Sequence, residues 1–126
     1  AAAPILVRAA RGEPVERTPV WMMRQAGRHM KAYRDLCVDH PTFRERSETP
    51  ALSLAISLQP YHAYGVDGVV LFSDILTPLP AMGVEFSVSE AGAIAVEAIA
   101  DEAGLAALEA HAFEPLSALP FVGETL

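Results

Sequence analysis

The sequence predicts an α/β protein, because two strand-like segments enclose helical sequence between them. In residues 18–25 a proline suits the start of a strand, and in extended geometry Val20, Met22 and Arg24 share one face. Residues 68–74 form a nearly unbroken apolar run that ends in two polar residues, as in a strand buried on both faces of a parallel sheet. Strand, helix and strand in this order are typical of a βα unit.

Two helices are expected between these segments. Met30, Tyr33 and Cys37 are spaced as on one face of the first helix, Arg34 is left to water, and Pro41 breaks the helix.

The second helix has the clearest local signals. Thr49 is a good N-cap, the proline after it suits the first helical position, and Gly65 suits the end. Leu54 and Leu58 stack one turn apart, and Pro60 is expected to kink the helix.

The remaining sequence adds peripheral elements. Residues 83–88 alternate and, with residues 94–96, predict a short hairpin outside the main sheet. Asp101 is expected to cap a helix that runs to Ala110, and residues 121–126 read as a helix that stops in mid-element. Two βα units cannot close a sheet of their own, and a barrel of eight such units needs about 250 residues. We therefore expect a fragment, or a chain whose missing strands come from another polypeptide.

Composition bounds the class of protein. The 126 residues are 52% hydrophobic and 20% charged, which is typical of a soluble globular domain. No run of 18 apolar residues occurs, so no membrane span is expected. The single cysteine, Cys37, excludes an internal disulfide and a multi-cysteine metal site, and a reducing compartment is the default.

Charge is unevenly distributed. Nine basic and five acidic residues give residues 1–46 a net charge of +4, whereas residues 47–126 hold eleven acids and no Lys or Arg. A cationic segment suggests a small anionic ligand, and the net charge of −7 argues against nucleic acid. The alternative is a chance cluster of solvated charges.

Three charged residues are the candidate site. Ligands of parallel α/β proteins bind at the C-terminal ends of the strands, where Arg24, Arg28 and Asp74 are expected. Arginine forks bind carboxylates bidentately, so the pair suits a polycarboxylate, while the aspartate suits a cationic or N–H-rich group. Spacing alone leaves open that Asp74 is only a turn cap and that the arginines pair with surface acids.

Two motifs carry a family resemblance. Residues 23–28 (MRQAGR) and 70–76 (VLFSDIL) closely resemble two signatures of the uroporphyrinogen decarboxylase family. Similar residues recur between them, at Tyr33-Arg34, Phe43-Arg44, Thr49-Pro50 and 58–60. Residues 40–47 and 75–80 look most like plastid-type members, which implies a plastid rather than a cytoplasmic location.

The resemblance implies that residues 1–126 are the incomplete N-terminal part of a (β/α)8 TIM barrel, truncated after the second core strand region. Such enzymes are usually homodimers that use neither a metal nor an organic cofactor. They remove the four acetate carboxyls of uroporphyrinogen III to give coproporphyrinogen III in heme and chlorophyll biosynthesis.

The resemblance also implies roles for individual residues. Asp74 would bind the central pyrrole N–H groups, and Arg24 and Arg28 would bind substrate carboxylates, with either a candidate for proton delivery. The remaining lining positions would be Gln25, Ala26 and Gly27 through their backbone, with Phe72 and Ser73 behind or beside the ring.

This sequence departs from the family pattern at some positions. Cys37 stands where many members have an arginine, His29 replaces a frequent tyrosine, and later cavity residues would lie beyond Leu126. The alternative is a truncated, non-catalytic segment that serves as a structural or interaction subunit, because the chain ends at Leu126 and its acidic stretch after Arg46, which has no Lys or Arg, suits a basic partner. A related methyltransferase is disfavoured, because no Cys/His metal set occurs.

Overall fold

The computed structural model describes residues 2–21, 28–89, 94–96, 98–111 and 114–126. Helices and one short hairpin make up its regular structure, which is mixed rather than all-α. The elements are α1 (Ile5–Ala10), α2 (Lys31–Asp39), α3 (Phe43–Glu48), α4 (Pro50–Tyr64), a 3-10 turn (Pro80–Met82), β1 (Phe86–Val88), β2 (Ile94–Val96), α5 (Glu102–Ala110), α6 (Pro115–Ala118) and α7 (Pro120–Thr125).

Helix α2 has the predicted face and the predicted end. Met30 and Tyr33 are buried, Cys37 is half-buried, and the helix ends at Asp39, two residues before Pro41. Together with Ile56 of α4, the first two residues form the buried core cluster of the described chain. The core therefore lies between α2 and α4.

Helix α4 begins and ends where its signals predict. Thr49 occupies the N-cap position, although its side chain makes no capping hydrogen bond, and the helix starts at Pro50. Gly65 ends it with φ +64°, a left-handed conformation that glycine adopts without steric cost. The helix continues through Pro60, which is buried.

The buried face of α4 is not the one that the leucines indicate. Leu54 is 45% exposed. The face against the protein has the spacing i, i+3, i+4 and i+7 and consists of Ser53, Ile56, Ser57 and Pro60. Because two of these four residues are polar, hydrophobic periodicity does not find this face.

The structure corrects the second predicted core strand and the described part of the first. Residues 68–74 and 18–21 form no strand, and residues 22–25 lie outside the described part of the chain. Val69 and Val70 are 41% and 56% exposed, so the apolar run is not buried on both faces. A buried parallel strand needs hydrogen-bonded neighbours and a packed layer on each face. Among the described residues, the hydrogen bonds to other segments lie near the two ends of the run, at Asp67 and Phe72.

An ionic cluster holds the starts of these two segments side by side. Arg17 binds Asp67 bidentately at 2.6 and 2.7 Å, and the same carboxylate accepts the Val20 N–H at 2.8 Å. The Asp67 N–H donates to the Val20 carbonyl, also at 2.8 Å. A Cβ on Gly68 would lie 2.8 Å from the end of the Leu6 side chain and 3.3 Å from the Trp21 Cβ, so a larger residue at this position would require the Leu6 side chain to shift.

The peripheral elements are confirmed. Strands β1 and β2 pair antiparallel with Phe86 opposite Val96. The Asp101 side chain accepts the Gly104 N–H at 2.8 Å and caps α5, which ends at Ala110. Helix α7 packs against α4. Within the described ranges, no helix is long and apolar enough to cross a lipid bilayer.

The Asp67 cluster predicts a pH dependence of stability. The Arg17 guanidinium, helped by the Val20 N–H, lowers the pKa of Asp67 from 3.8 to about 2. A lowered pKa in the folded state stabilises the fold above pH 4, and this contribution is lost as the pH falls from about 4 to about 2. We expect Asp67→Asn to lower the urea midpoint at pH 7, followed by the fluorescence of the single tryptophan, Trp21. This difference from the wild type should shrink below pH 4.

Glu13→Gln is the control, because Glu13 is exposed and lies 4.0 Å from its partner Arg11. It should leave the pH dependence unchanged. A difference between Asp67→Asn and the wild type that stays constant from pH 7 to pH 2 would contradict the role of this cluster.

Candidate functional site

The backbone of Phe72 is bound by two serines of α4. The Ser53 hydroxyl donates to the Phe72 carbonyl at 2.9 Å, and the Phe72 N–H donates to the Ser57 hydroxyl oxygen at 2.8 Å. Ser57 in turn donates its own proton to the Ser53 carbonyl at 2.7 Å. Both backbone groups of Phe72 are therefore satisfied by side chains, as a neighbouring strand would otherwise do.

The ring of Phe72 packs into the core. It lies 5.8 Å from the Tyr33 ring and 5.4 Å from the Phe43 ring, centroid to centroid, in tilted arrangements that aromatic pairs favour. The ring thus joins α2 and α3 to the segment that leads to Asp74. Contact between Phe72 and a substrate stays a prediction.

Arg46 lies over the two rings that contact Phe72, those of Tyr33 and Phe43. Its guanidinium lies 5.7 Å from the Tyr33 ring centroid and 6.0 Å from that of Phe43, and it donates to the Pro41 carbonyl at 2.8 Å. The residue is only 7% exposed. Burial raises the pKa of the Tyr33 hydroxyl, with the nearby Arg46 charge acting in the opposite direction. Arg46 therefore serves the packing around Phe72.

Asp74 lies at a turn and is half-buried. Its Oδ1 accepts the Leu76 N–H at 2.8 Å, and its own N–H donates to the Thr77 hydroxyl at 3.1 Å. The capping interpretation of Asp74 is thus geometrically correct. It uses one carboxylate oxygen, and the described residues provide no hydrogen bond to the other, so capping does not exclude a second role.

The turn that contains Arg28 is held by Arg34. One nitrogen of the Arg34 guanidinium donates to the carbonyls of Arg28 and His29, at 2.7 and 2.8 Å. Arg34 is exposed, as expected, but its head group binds backbone carbonyls. The other predicted residues of this motif, Arg24, Gln25, Ala26 and Gly27, lie outside the described residues.

Most of the basic segment is used within the protein. The ion pairs among the described residues are Arg8–Glu16, Arg11–Glu13, Arg17–Asp67, Lys31–Asp35, His40–Glu45, and Arg44 with both Glu48 and Glu85. Arg34 and Arg46 bind backbone carbonyls. Arg28 is exposed and has no ion pair with the residues that the structure describes.

Helix α2 connects the two halves of the candidate site. Its neighbouring residues Tyr33 and Arg34 contact, respectively, the Phe72 ring before Asp74 and the turn at Arg28. No hydrogen bond or ion pair joins Arg28 to Asp74 directly, both of which are described. Ser73 is exposed, and its hydroxyl donates to the Leu71 carbonyl at 3.4 Å.

Four supporting residues are not predicted from the sequence: Ser53, Ser57, Arg34 and Arg46. The serines could have been found from their i, i+4 spacing on the face that also carries Ile56, whereas the arginines have no local signal. Among the described residues, no three His, Cys, Asp or Glu side chains are grouped so that they could hold a metal ion. The expectation that no metal or organic cofactor is used stays a prediction.

The described residues thus form a protein of mixed helices and strands, in which one helix joins an acidic turn to a basic turn at a candidate site for a small charged ligand. The chain belongs to the uroporphyrinogen decarboxylase family, whose sequence model matches residues 2–126. The resemblance seen in the two motifs is thereby confirmed.

Curated relatives agree with this family. The chain is 58% identical over 123 residues to a uroporphyrinogen decarboxylase of Prochlorococcus marinus (strain MIT 9303) and to one of Synechococcus sp. (strain CC9605). It is 58% identical over 119 residues to that of Picosynechococcus sp. (strain ATCC 27264 / PCC 7002 / PR-6). The alignments cover 98%, 98% and 94% of this chain. The chain spans only 35%, 35% and 34% of the length of these relatives.

The contact of Arg34 with the Arg28 turn can be tested by proteolysis. Arg34→Met keeps the length of the side chain but removes both hydrogen bonds to the turn. Local opening then becomes more frequent, and we expect trypsin to cleave the Arg28–His29 bond several-fold faster, as measured by mass spectrometry. Lys31→Met is the matched control, because it removes an exposed ion pair of the same helix. Equal cleavage rates in the two variants would contradict the contact.

Proposed function

We propose that this chain is the N-terminal part of an enzyme that decarboxylates the four acetate side chains of uroporphyrinogen III to give coproporphyrinogen III in tetrapyrrole biosynthesis. The observation that carries the proposal is the Asp74 turn, in which a half-buried carboxylate uses one oxygen for capping and keeps the other free of hydrogen bonds from described residues. Family membership supplies the class of substrate and reaction.

Asp74 stabilises the charge that the reaction develops. Protonation of a pyrrole carbon makes the ring cationic, and the ring then accepts the electron pair that departing CO₂ leaves on the side-chain carbon. A carboxylate fixed near the pyrrole N–H groups lowers the energy of this cation most strongly when it is held in advance. Two hydrogen bonds hold the carboxylate in this way: the Leu76 N–H donates to Oδ1, and the Asp74 N–H donates to the Thr77 hydroxyl.

The arginines bind the substrate carboxylates. Arg28 lacks an ion pair among the described residues, which leaves its charge for a ligand, and Arg24 belongs to the same motif. Either arginine assists proton delivery. Gln25, Ala26 and Gly27 line the site through their backbone, with Phe72 and Ser73 beside the ring.

The proposal extends to the architecture. Residues 1–126 form the incomplete N-terminal part of a (β/α)8 barrel, truncated after the second core strand region, and the complete enzyme is a homodimer. Two observations support this architecture. The chain aligns with about a third of each relative. Residues 17–20 and 67–68 lie side by side, joined by the hydrogen bond from the Asp67 N–H to the Val20 carbonyl. A role in both heme and chlorophyll synthesis, in a plastid, is compatible with the cyanobacterial relatives.

A non-catalytic interaction subunit is the second candidate function. Its supporting observation is apolar exposure close to Asp74, where Val70 is 56% exposed and Ile75 is 91% exposed. Such side chains suit burial against further polypeptide. The substitutions described below distinguish the two candidate functions. If the chain is only an interaction subunit, replacing Asp74 or Arg28 should leave turnover unchanged.

Asp74 is tested in a chimera in which this chain replaces the matching residues of the Prochlorococcus marinus (strain MIT 9303) relative. Asp74→Asn keeps the oxygen that accepts the Leu76 N–H but removes the charge. We expect turnover to fall on the order of a hundredfold, because a preorganised electrostatic partner is lost. Asp74→Glu keeps a misplaced charge and should retain partial activity, with coproporphyrinogen measured chromatographically after oxidation.

Asp101→Asn is the control for Asp74→Asn. Asp101 also caps a backbone N–H at 2.8 Å, so its replacement removes the same charge at a similar cap far along the chain. It should leave turnover unchanged. Near-normal decarboxylation by Asp74→Asn would reduce Asp74 to a turn cap and remove the centre of this mechanism.

The arginines are tested in the same chimera. Charge-assisted hydrogen bonds contribute about 1.5–3 kcal/mol each, so Arg24→Ala or Arg28→Ala should weaken substrate binding roughly tenfold or more with an unchanged melting temperature. Arg11→Ala, at an exposed position, is the control. Unchanged substrate binding with both arginines removed would refute their assignment.

A further inference from the structure

Two buried hydroxyls on α4 have a more specific task than packing. Ser53 is 1% exposed and Ser57 is 5% exposed, on a face whose other members are Ile56 and Pro60. A buried hydroxyl is costly unless it is hydrogen-bonded, and alanine would fill these positions without that requirement. Their partners therefore indicate what they do, and both bind the backbone of Phe72.

The three hydrogen bonds form an ordered set. By donating to the Ser53 carbonyl one turn earlier, Ser57 turns a lone pair toward the Phe72 N–H. The Ser53 hydroxyl donates to the Phe72 carbonyl. The pair thus fixes the peptide groups on both sides of the Phe72 Cα atom, where no strand ladder is formed.

We propose that Ser53 and Ser57 are positioning residues for the Asp74 carboxylate, acting through the backbone of Phe72. This inference rests on the proposed function. Asp74 follows two residues later, at most about 7 Å of extended chain away. A displacement of about 1 Å at a catalytic group can lower the rate a hundredfold. A shift of the Phe72 backbone would therefore displace the Asp74 carboxylate and slow the reaction.

Turnover of the chimera tests the proposal. Ser57→Ala and Ser53→Ala should each lower kcat about tenfold while KM changes less than about twofold, because the serines act on Asp74 and not on the arginines. Ser47→Ala is the matched control: Ser47 is equally buried, but its hydroxyl binds the Arg44 carbonyl within α3. It should leave kcat unchanged. An unchanged kcat in both Ser53→Ala and Ser57→Ala overturns the proposal.

A double-mutant cycle separates positioning from general stability. If Ser57 acts through the Asp74 carboxylate, Ser57→Ala should cost little further turnover in an Asp74→Asn background. A merely structural serine would lower kcat by the same factor in both backgrounds, and that result overturns the proposal. A parent chimera without activity, or one indifferent to Asp74→Asn, instead overturns the proposed function and this inference with it.

Amide exchange supplies a readout that does not need activity. In the 126-residue chain, Ser57→Ala should speed exchange of the Phe72 amide at least tenfold, and Ser47→Ala should not. If Ser57→Ala does not fold, Ser53→Ala carries the kinetic test, since its hydroxyl binds only the carbonyl side of Phe72. Equal Phe72 exchange in Ser57→Ala and wild type overturns the proposal.

Discussion

Phe72 is held at both its backbone and its ring, and the elements around the candidate site meet at this residue. Helix α4 binds the backbone through Ser53 and Ser57, while α2 and α3 contact the ring through Tyr33 and Phe43. Phe72 thereby joins helices α2, α3 and α4 to residues 67–74, which form no β-strand. The location of Asp74 follows from this attachment, because only Ser73 separates the two residues.

Residues 67–74 are anchored at their ends and exposed in their middle. At one end Asp67 binds Arg17 and both backbone groups of Val20, and at the other Phe72 binds the serines. Backbone polar groups removed from water need partners, and here side chains act as the partners that a strand ladder would provide. Between these anchors Val70 remains exposed. The segment therefore has a defined course without being a regular strand.

The arginines of the N-terminal region differ in whether their guanidinium groups are bound within the protein. Arg46 is buried over aromatic rings and Arg34 binds the Arg28 turn, so neither carries a free cationic head group. The exposed ion pairs contribute little to stability individually, because water screens them and the side chains lose freedom. Arg28 differs from these residues because, within the described ranges, its side chain has neither an ion pair nor a hydrogen bond. It lies in the turn that Arg34 of α2 holds in place.

The sequence by itself determined the features that depend on local interactions. Four features follow from neighbouring residues and are correctly predicted: the start of α4 at Pro50, its left-handed end at Gly65, the Asp101 cap and the buried face of α2. Asp74 was recognised both as a turn cap and as a motif residue, and its capping geometry is now observed. Only the tertiary structure decided that residues 68–74 form no strand, because a strand is defined by neighbours distant in sequence. It also decided that two serines face Phe72 and that Arg17 binds Asp67, fifty residues away, since no local pattern encodes a long-range polar pair.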